Sequence, residues 1–205
     1  TATVGGGQSN TASGYIATVG GGYNNNAGGF YATVSGGLSN TASGAAATVA
    51  GGINNAANGS YSFAAGNRAK AIHMGSFVWA DATNSDFSST ANNTFNVRAS
   101  GGYTLTSNAA GTSGVRLPAG SGTWNSLSDR AAKENVVPVD SLDILAKVGA
   151  LPLSTWNYIS QDASIRHMGP MAQDFAAAFG LGENDTTIST IDADGVALAA
   201  IQGLY

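Results

Sequence analysis

ATVGGGQSNTASGYI (residues 2–16), ATVGGGYNNNAGGFY (17–31), ATVSGGLSNTASGAA (32–46) and ATVAGGINNAANGSY (47–61) follow one another without a gap. Ala2, Ala17, Ala32 and Ala47 each open an Ala-Thr-Val triplet, and paired glycines return at 6–7, 21–22, 36–37 and 51–52. A unit this short can bury its apolar residues only against the next copy, which is the logic of a stacked repeat rather than of a globular core.

The register is strict enough to read as columns along an axis. Asn10, Asn25, Asn40 and Asn55 share one column, Ala12, Ala27, Ala42 and Ala57 another, and Gly14, Gly29, Gly44 and Gly59 a third. With coils one strand spacing apart, about 4.8 Å, the Asn amides are expected to hydrogen-bond from coil to coil while Val4, Val19, Val34 and Val49 stack inside. Such a ladder satisfies polar groups that a tight coil would otherwise bury unpaired. The glycines suit turns that need positive φ or close backbone approach.

Charge divides the chain. None of residues 1–67 is Asp, Glu, Lys or Arg; all charged residues lie from Arg68 onward, and the net charge is −4. A neutral, small-residue coil has little room for a core of its own, so several chains are expected to share one, as a β-roll or solenoid or as an intertwined β-prism in a homotrimer. Eight scattered basic residues in an acidic chain do not build a phosphate-binding surface, which excludes nucleic acid as the partner. No run of 18 apolar residues is present and no secretory leader pattern, so no membrane insertion is expected from this segment. The chain opens in mid-repeat on Thr1 and closes on an apolar helical pattern, and it is expected to be a piece of a longer protein.

After the fourth copy the wording loosens. Ser62-Phe63-Ala64-Ala65-Gly66 and Ser76-Phe77-Val78-Trp79-Ala80 read as two more repeats spaced at fourteen, with larger aromatics closing the stack. Alternating segments such as Phe95-Asn96-Val97-Arg98 and Tyr103-Thr104-Leu105, separated by glycine turns, read as strands of a β-rich neck. The expected fold is mainly β with a C-terminal α+β domain. Its parts are repeats over 1–82, a neck over 83–126 and a further domain over 127–205. In that domain Asp140 or Ser141 is placed to cap a helix with Leu142, Leu145 and Val148 on one face, and Met171 to Phe179 forms a second helix stopped by Gly180.

Two resemblances follow from these residues. The repeats resemble the heads of YadA-like trimeric autotransporter adhesins, although the period of fifteen departs from the usual fourteen. From Ser126 onward, Leu127-Ser128-Asp129-Arg130-Ala131-Ala132-Lys133-Glu134-Asn135, Leu151-Pro152-Leu153-Ser154-Thr155-Trp156, Arg166-His167-Met168-Gly169-Pro170-Met171-Ala172-Gln173-Asp174 and Gly195-Val196-Ala197-Leu198-Ala199-Ala200-Ile201-Gln202 resemble the C-terminal intramolecular chaperone of phage tail spikes, tail fibres and endosialidases. The resemblance implies a domain that holds three chains together while a fibre winds, often continues into a coiled coil, and in many members cuts itself off beside the Ser of a Ser-Asp-Arg-x-x-Lys motif. It also implies an extracellular setting, on a virion tail fibre or a bacterial cell surface.

The catalytic candidates are therefore Ser128 as nucleophile and Lys133 as its base, with Asp129 and Arg130 as supporting groups. A serine hydroxyl attacks only when a base takes its proton, and a lysine does so only when burial or a cationic neighbour lowers its pKa. The hydroxyl reaches the Leu127 carbonyl without the four-membered ring that attack on its own carbonyl would need; both Leu127–Ser128 and Ser128–Asp129 stay open as the cut bond. A retained, uncut trimerisation cap is the alternative.

Other chemistries fail on their spacing. Asp192-Ala193-Asp194-Gly195 lacks the remaining ligands of a calcium loop, and the glycine runs lack the Lys-Ser/Thr of a phosphate cradle. The repeats hold no carboxylate for glycoside hydrolysis. His167 reads as structural, Met168 and Met171 as core packing. No cofactor and no metal are expected. The rank Thr3, Thr18, Thr33 and Thr48 admits an ice-binding solenoid only weakly, since its neighbours are Ala and Val rather than a second Thr rank. The partners expected are two further copies of the chain and a cell-surface glycan or other receptor.

Overall fold

A computed structural model describes residues 1–205. They divide into two compact units, one of residues 1–109 and 114–125, the other of residues 110–113 and 126–205.

The first unit is a parallel β-solenoid of about six turns. Its strands are β1 (Thr3–Val4), β2 (Thr11–Ala12), β3 (Thr18–Val19), β4 (Asn26–Ala27), β5 (Thr33–Val34), β6 (Thr41–Ala42), β7 (Thr48–Ile53), β8 (Ala56–Ala57), β9 (Phe63–Asn67), β10 (Ala69–Ala71), β11 (Phe77–Ala80), β12 (Phe87–Ser88) and β13 (Phe95–Arg98). Odd-numbered strands pair in order as one sheet, even-numbered strands as the other. Each coil thus lays one strand in each sheet, and the pairing register is the sequence period itself: Thr3 opposite Thr18, Thr18 opposite Thr33, Thr33 opposite Thr48. The chain winds on its own backbone, so the structure is a solenoid and not an intertwined prism.

Its core is one side chain wide. Val19, Val34, Val49, Ala64 and Val78 stack from the first sheet toward Ala27, Ala42, Ala57 and Ala71 from the second, all fully buried. The Asn column closes a corner. Asn40 is wholly buried; its Oδ1 accepts from the Asn55 backbone N–H at 2.9 Å and its Nδ2 donates to the Gly36 and Gly52 carbonyls at 3.0 and 2.9 Å. Its Nδ2 also donates to Asn25 Oδ1 of the preceding coil at 3.1 Å, so one amide ties three successive coils.

The turns are more demanding than the glycines alone imply. A methyl group on Gly29 would sit 2.1 Å from the Gly44 carbonyl oxygen of the next coil, so that column needs glycine for close approach. Positive φ is shared between glycine and other residues: Gly7, Gly22, Gly37 and Gly52 hold one rank at φ 81–100°, while Ser9, Asn24, Ser39 and Asn54 at one corner and Ile16, Tyr31, Ala46 and Tyr61 at another have φ between 52° and 60°. For β-branched Ile16 this conformation is costly, and the coil-to-coil hydrogen bonds around it hold it there.

The stack runs further than its repeated wording. Phe77 pairs with Phe63 and with Phe95, and Phe87 with Ala69, so β12 and β13 hydrogen-bond as another coil of the solenoid. Arg98 locks that end: its Nε donates to Asp81 at 2.9 Å and its Nη atoms to the Ser85 and Thr83 carbonyls at 3.0 Å. Hydrogen bonds from Ser100, and then Arg98, hold the Asp81 carboxyl well below the usual carboxylate range. Beyond it, β14 (Gly102–Thr106) and β15 (Gly114–Pro118) pair antiparallel, and β16 (Asn125–Ser126) spans the junction of the two units.

The second unit holds three helices and a hairpin: α1 (Ser141–Ala150), β17 (Ser154–Trp156), β18 (His167–Gly169), α2 (Ala172–Phe179) and α3 (Thr190–Gly203). Asp140 caps α1 by accepting from the Leu142 and Asp143 N–H groups. Leu142 itself faces outward, and Ile144, Leu145 and Val148 are the half-buried side, one step round from the face expected. Gly180 ends α2 in the left-handed conformation at φ 62°. Asp192 to Gly195 lies inside α3 rather than in a loop.

Candidate functional site

Ser128 and Lys133 are five residues apart, and an extended chain would hold them far out of reach. Between them Arg130–Ala132 forms a single 3-10 turn, in which the Lys133 N–H donates to the Arg130 carbonyl at 3.1 Å. The turn is started by Asp129, whose carboxylate accepts from the Ala131 N–H at 2.9 Å, the local bond that short acidic side chains favour at such positions. Its effect is to fold Lys133 back so that Nζ donates to Ser128 Oγ at 2.6 Å.

The two supporting candidates separate in role. Asp129 is engaged with the backbone as a cap and shapes the turn. Arg130 takes part in no salt bridge of the chain. Both Ser128 and Lys133 are exposed in the single chain. Here the lysine Nζ donates to the hydroxyl oxygen, which positions the pair. For catalysis the bond must reverse, with a neutral amine accepting the hydroxyl proton, and desolvation is the usual means of achieving that.

The remaining singled-out residues lie apart from this pair. His167 is packed among rings, its centroid 4.9 Å from Trp156 and 5.5 Å from Tyr158, and its Nε2 lies 2.9 Å from Gln161 Oε1. Ring packing and a side-chain amide hold it, where a backbone partner was expected. Sequence reading missed Gln161, because a contact across a hairpin loop leaves no periodic signal. Met168 is 76% exposed and Met171 41%, so neither packs a core, contrary to expectation. A cleft of about 580 Å³ is lined by Trp156, Tyr158, Met171, Gln173 and Ile188 among others, and neither Ser128 nor Lys133 borders it. Nowhere do three His, Asp or Glu side chains converge as a metal site would need. No helix is long and apolar enough to cross a membrane.

No curated protein matches the chain. A family model does match, over a stretch that starts at the serine of the hydrogen-bonded pair and runs through α1, the hairpin and α2: residues 128–181 are similar to the Peptidase S74 family, the chaperone of endosialidase.

Proposed function

We propose that the second unit is an intramolecular chaperone that brings three copies of the chain into register, and that the solenoid is a segment of the fibre they form, on a virion tail or a bacterial surface. The similarity of residues 128–181 to the chaperone of endosialidase carries this reading. The surface of α3 supports it. Val196, Ala199 and Ala200 are buried, yet Ile191, Leu198 and Ile201 stand exposed on another side, Leu198 by 65%. Ile191 and Leu198 are seven residues apart and Ile201 follows at three, the spacing of a seam between helices. A helix apolar on two sides is built to bury both.

Alignment is the physical task. Three coils whose outer ranks repeat at every turn can meet one turn out of step at little local cost, and long-range contacts form slowly. A C-terminal domain that holds three chains in phase removes that ambiguity before winding begins.

The Ser128–Lys133 pair adds a cut. Ser128 Oγ attacks the Leu127 carbonyl carbon, Lys133 takes the hydroxyl proton and passes it to the departing Ser128 nitrogen, and the resulting ester is opened by water. The exposure of both side chains makes closure by further protein a requirement for the lysine to act as base. Cutting should therefore follow assembly, and fibre freed of its chaperone stays wound because unwinding breaks many coils together. That same exposure favours one second reading, a cap that is retained uncut.

Intact mass under denaturing conditions, compared with Ser128→Ala and Lys133→Ala, tests the cut. A split at residue 127 or 128 that both variants abolish supports the dyad and locates the bond; one uncut mass in the wild type leaves the retained cap. For the chaperone role, expression of residues 1–127 alone should give no soluble trimer, and recovery of folded trimers from it would refute the role.

A further inference from the structure

The two sheets of the solenoid are chemically unlike on their outer faces. The second sheet turns Thr11, Asn26 and Thr41 outward and then Lys70, whose Nζ lies 3.9 Å from Asp86; at its edge Arg68 pairs with Asp86 at 2.7 Å. The first sheet carries no charge on its outer ranks. Its Thr rank continues as Phe63, Phe77 and Phe95, with Ala65, Trp79 and Val97 in the rank beside it. Phe95 is 75% and Trp79 38% exposed, and Tyr23, Leu38 and Ile53 extend the apolar character along the adjoining bridge column. The first face is uncharged along its whole length and apolar from β9 onward, and an exposed apolar patch of this kind marks an interaction surface.

The rank geometry narrows the occupant. Phe63 and Phe77 stack at 4.8 Å with planes 2° apart, and Phe77 and Phe95 at 4.6 Å with planes 17° apart. The three rings thus form one continuous apolar stack, with Phe77 covered on both faces and Phe95 open at its end. The ranks also repeat at the strand spacing, so a parallel copy of the same chain presents matching rows and brings no like charges together.

Size sets how strongly the face can hold. Seven strands make a face about 30 Å tall and, from the Thr rank to the bridge column, about 15 Å wide. That area, on the order of 450 Å² per chain, falls short of the roughly 800 Å² per partner of a stable pair, so copies meeting here need a second contact to stay together. In the trimeric reading the exposed apolar side of α3 supplies one.

We infer that the outer face of the first sheet is where copies of this chain meet, three around a common axis, with the second sheet left in water. This rests on the trimeric reading above and specifies its interface. Because the chain has no cysteine, single-cysteine variants report the two faces directly. Ser35 follows β5 on the first face and Ser43 follows β6 on the second, and both are exposed in the single chain. In the assembled full chain, Ser35→Cys should react with a maleimide at least tenfold more slowly than Ser43→Cys, and the two should react alike after denaturation. A trimer by light scattering in which both react equally, or in which Ser43→Cys is the protected one, overturns the inference and leaves the trimeric reading standing. A single-chain mass for the wild type overturns both. As a second measurement, Thr33→Lys should reduce the trimer to single chains while Thr41→Lys leaves it intact; the opposite pattern refutes the assignment.

Discussion

Asn40→Ala should cost the solenoid far more than the same change at Asn10, although both side chains accept from the next Asn N–H and donate to two glycine carbonyls. At Asn40 the change leaves the Asn55 N–H and the Gly36 carbonyl without partners, while the Gly52 carbonyl keeps the Leu38 N–H at 2.9 Å. Two buried groups left unmade at roughly 1–3 kcal/mol each, partly relieved by water entering the gap, give a loss of about 2–4 kcal/mol. At Asn10, on the open first coil, the Asn25 N–H and Gly6 carbonyl lose the equivalent bonds. Solvent replaces them there, and the loss should stay under ~1 kcal/mol. Amide hydrogen exchange reads the difference locally: for Asn40→Ala, peptides covering residues 50–60 should exchange about 30- to 1,000-fold faster. Equal effects at Asn10 and Asn40 would refute the ladder argument, as would full stability in Asn40→Leu, which fills the space but makes none of the bonds.

Three further outcomes follow from single positions. Gly29→Ala forces a methyl against the Gly44 carbonyl and should destabilise by about 1–3 kcal/mol, whereas Gly28→Ala, whose methyl meets nothing nearer than 3.7 Å, should change stability by less than ~0.5 kcal/mol; thermal unfolding of the pair checks this. Asp81 has a folded-state pKa below its unfolded value, so its contribution is complete above the unfolded value near ~4 and is lost as pH falls through the folded one. The stability gap between wild type and Asp81→Asn should accordingly be constant from neutral pH to about 5 and shrink at lower pH; a gap that widens on acidification would contradict the assignment. Lys133→Arg keeps a cation beside Ser128 but removes the base, so it should give one uncut mass with an unchanged circular dichroism spectrum. Cutting that survives this change would remove Lys133 from the mechanism.

The repeats were legible because their neighbours in space are their neighbours in period. Thr18 meets Thr33, and Asn25 meets Asn40, at the spacing the sequence already displays. Where periodicity stopped, so did legibility. The pairing of Phe87 with Ala69 and of Phe95 with Phe77 joins segments 18 residues apart, longer than any repeat in the sequence. The left-handed conformation of Ile16 runs against its own preference, and no local rule points to it.

Ser128 and Lys133 were marked by a motif, and the motif says which atoms are present but not whether they touch. The 2.6 Å contact depends on the Asp129 cap and the turn after it. The exposure of both groups depends on what else is folded around them, which no spacing encodes.

Sequence alone determined the coil, its period, its inward Asn and Val columns and the place of the Ser-Lys pair, because each rests on contacts between residues at a constant separation. Tertiary structure decided that the chain winds on itself, that one outer face is uncharged and carries the stacked aromatics while the other carries Lys70, and that the Ser-Lys pair stands open to solvent. Those properties belong to surfaces assembled from many coils, and a surface has a side only once the chain has closed around its core.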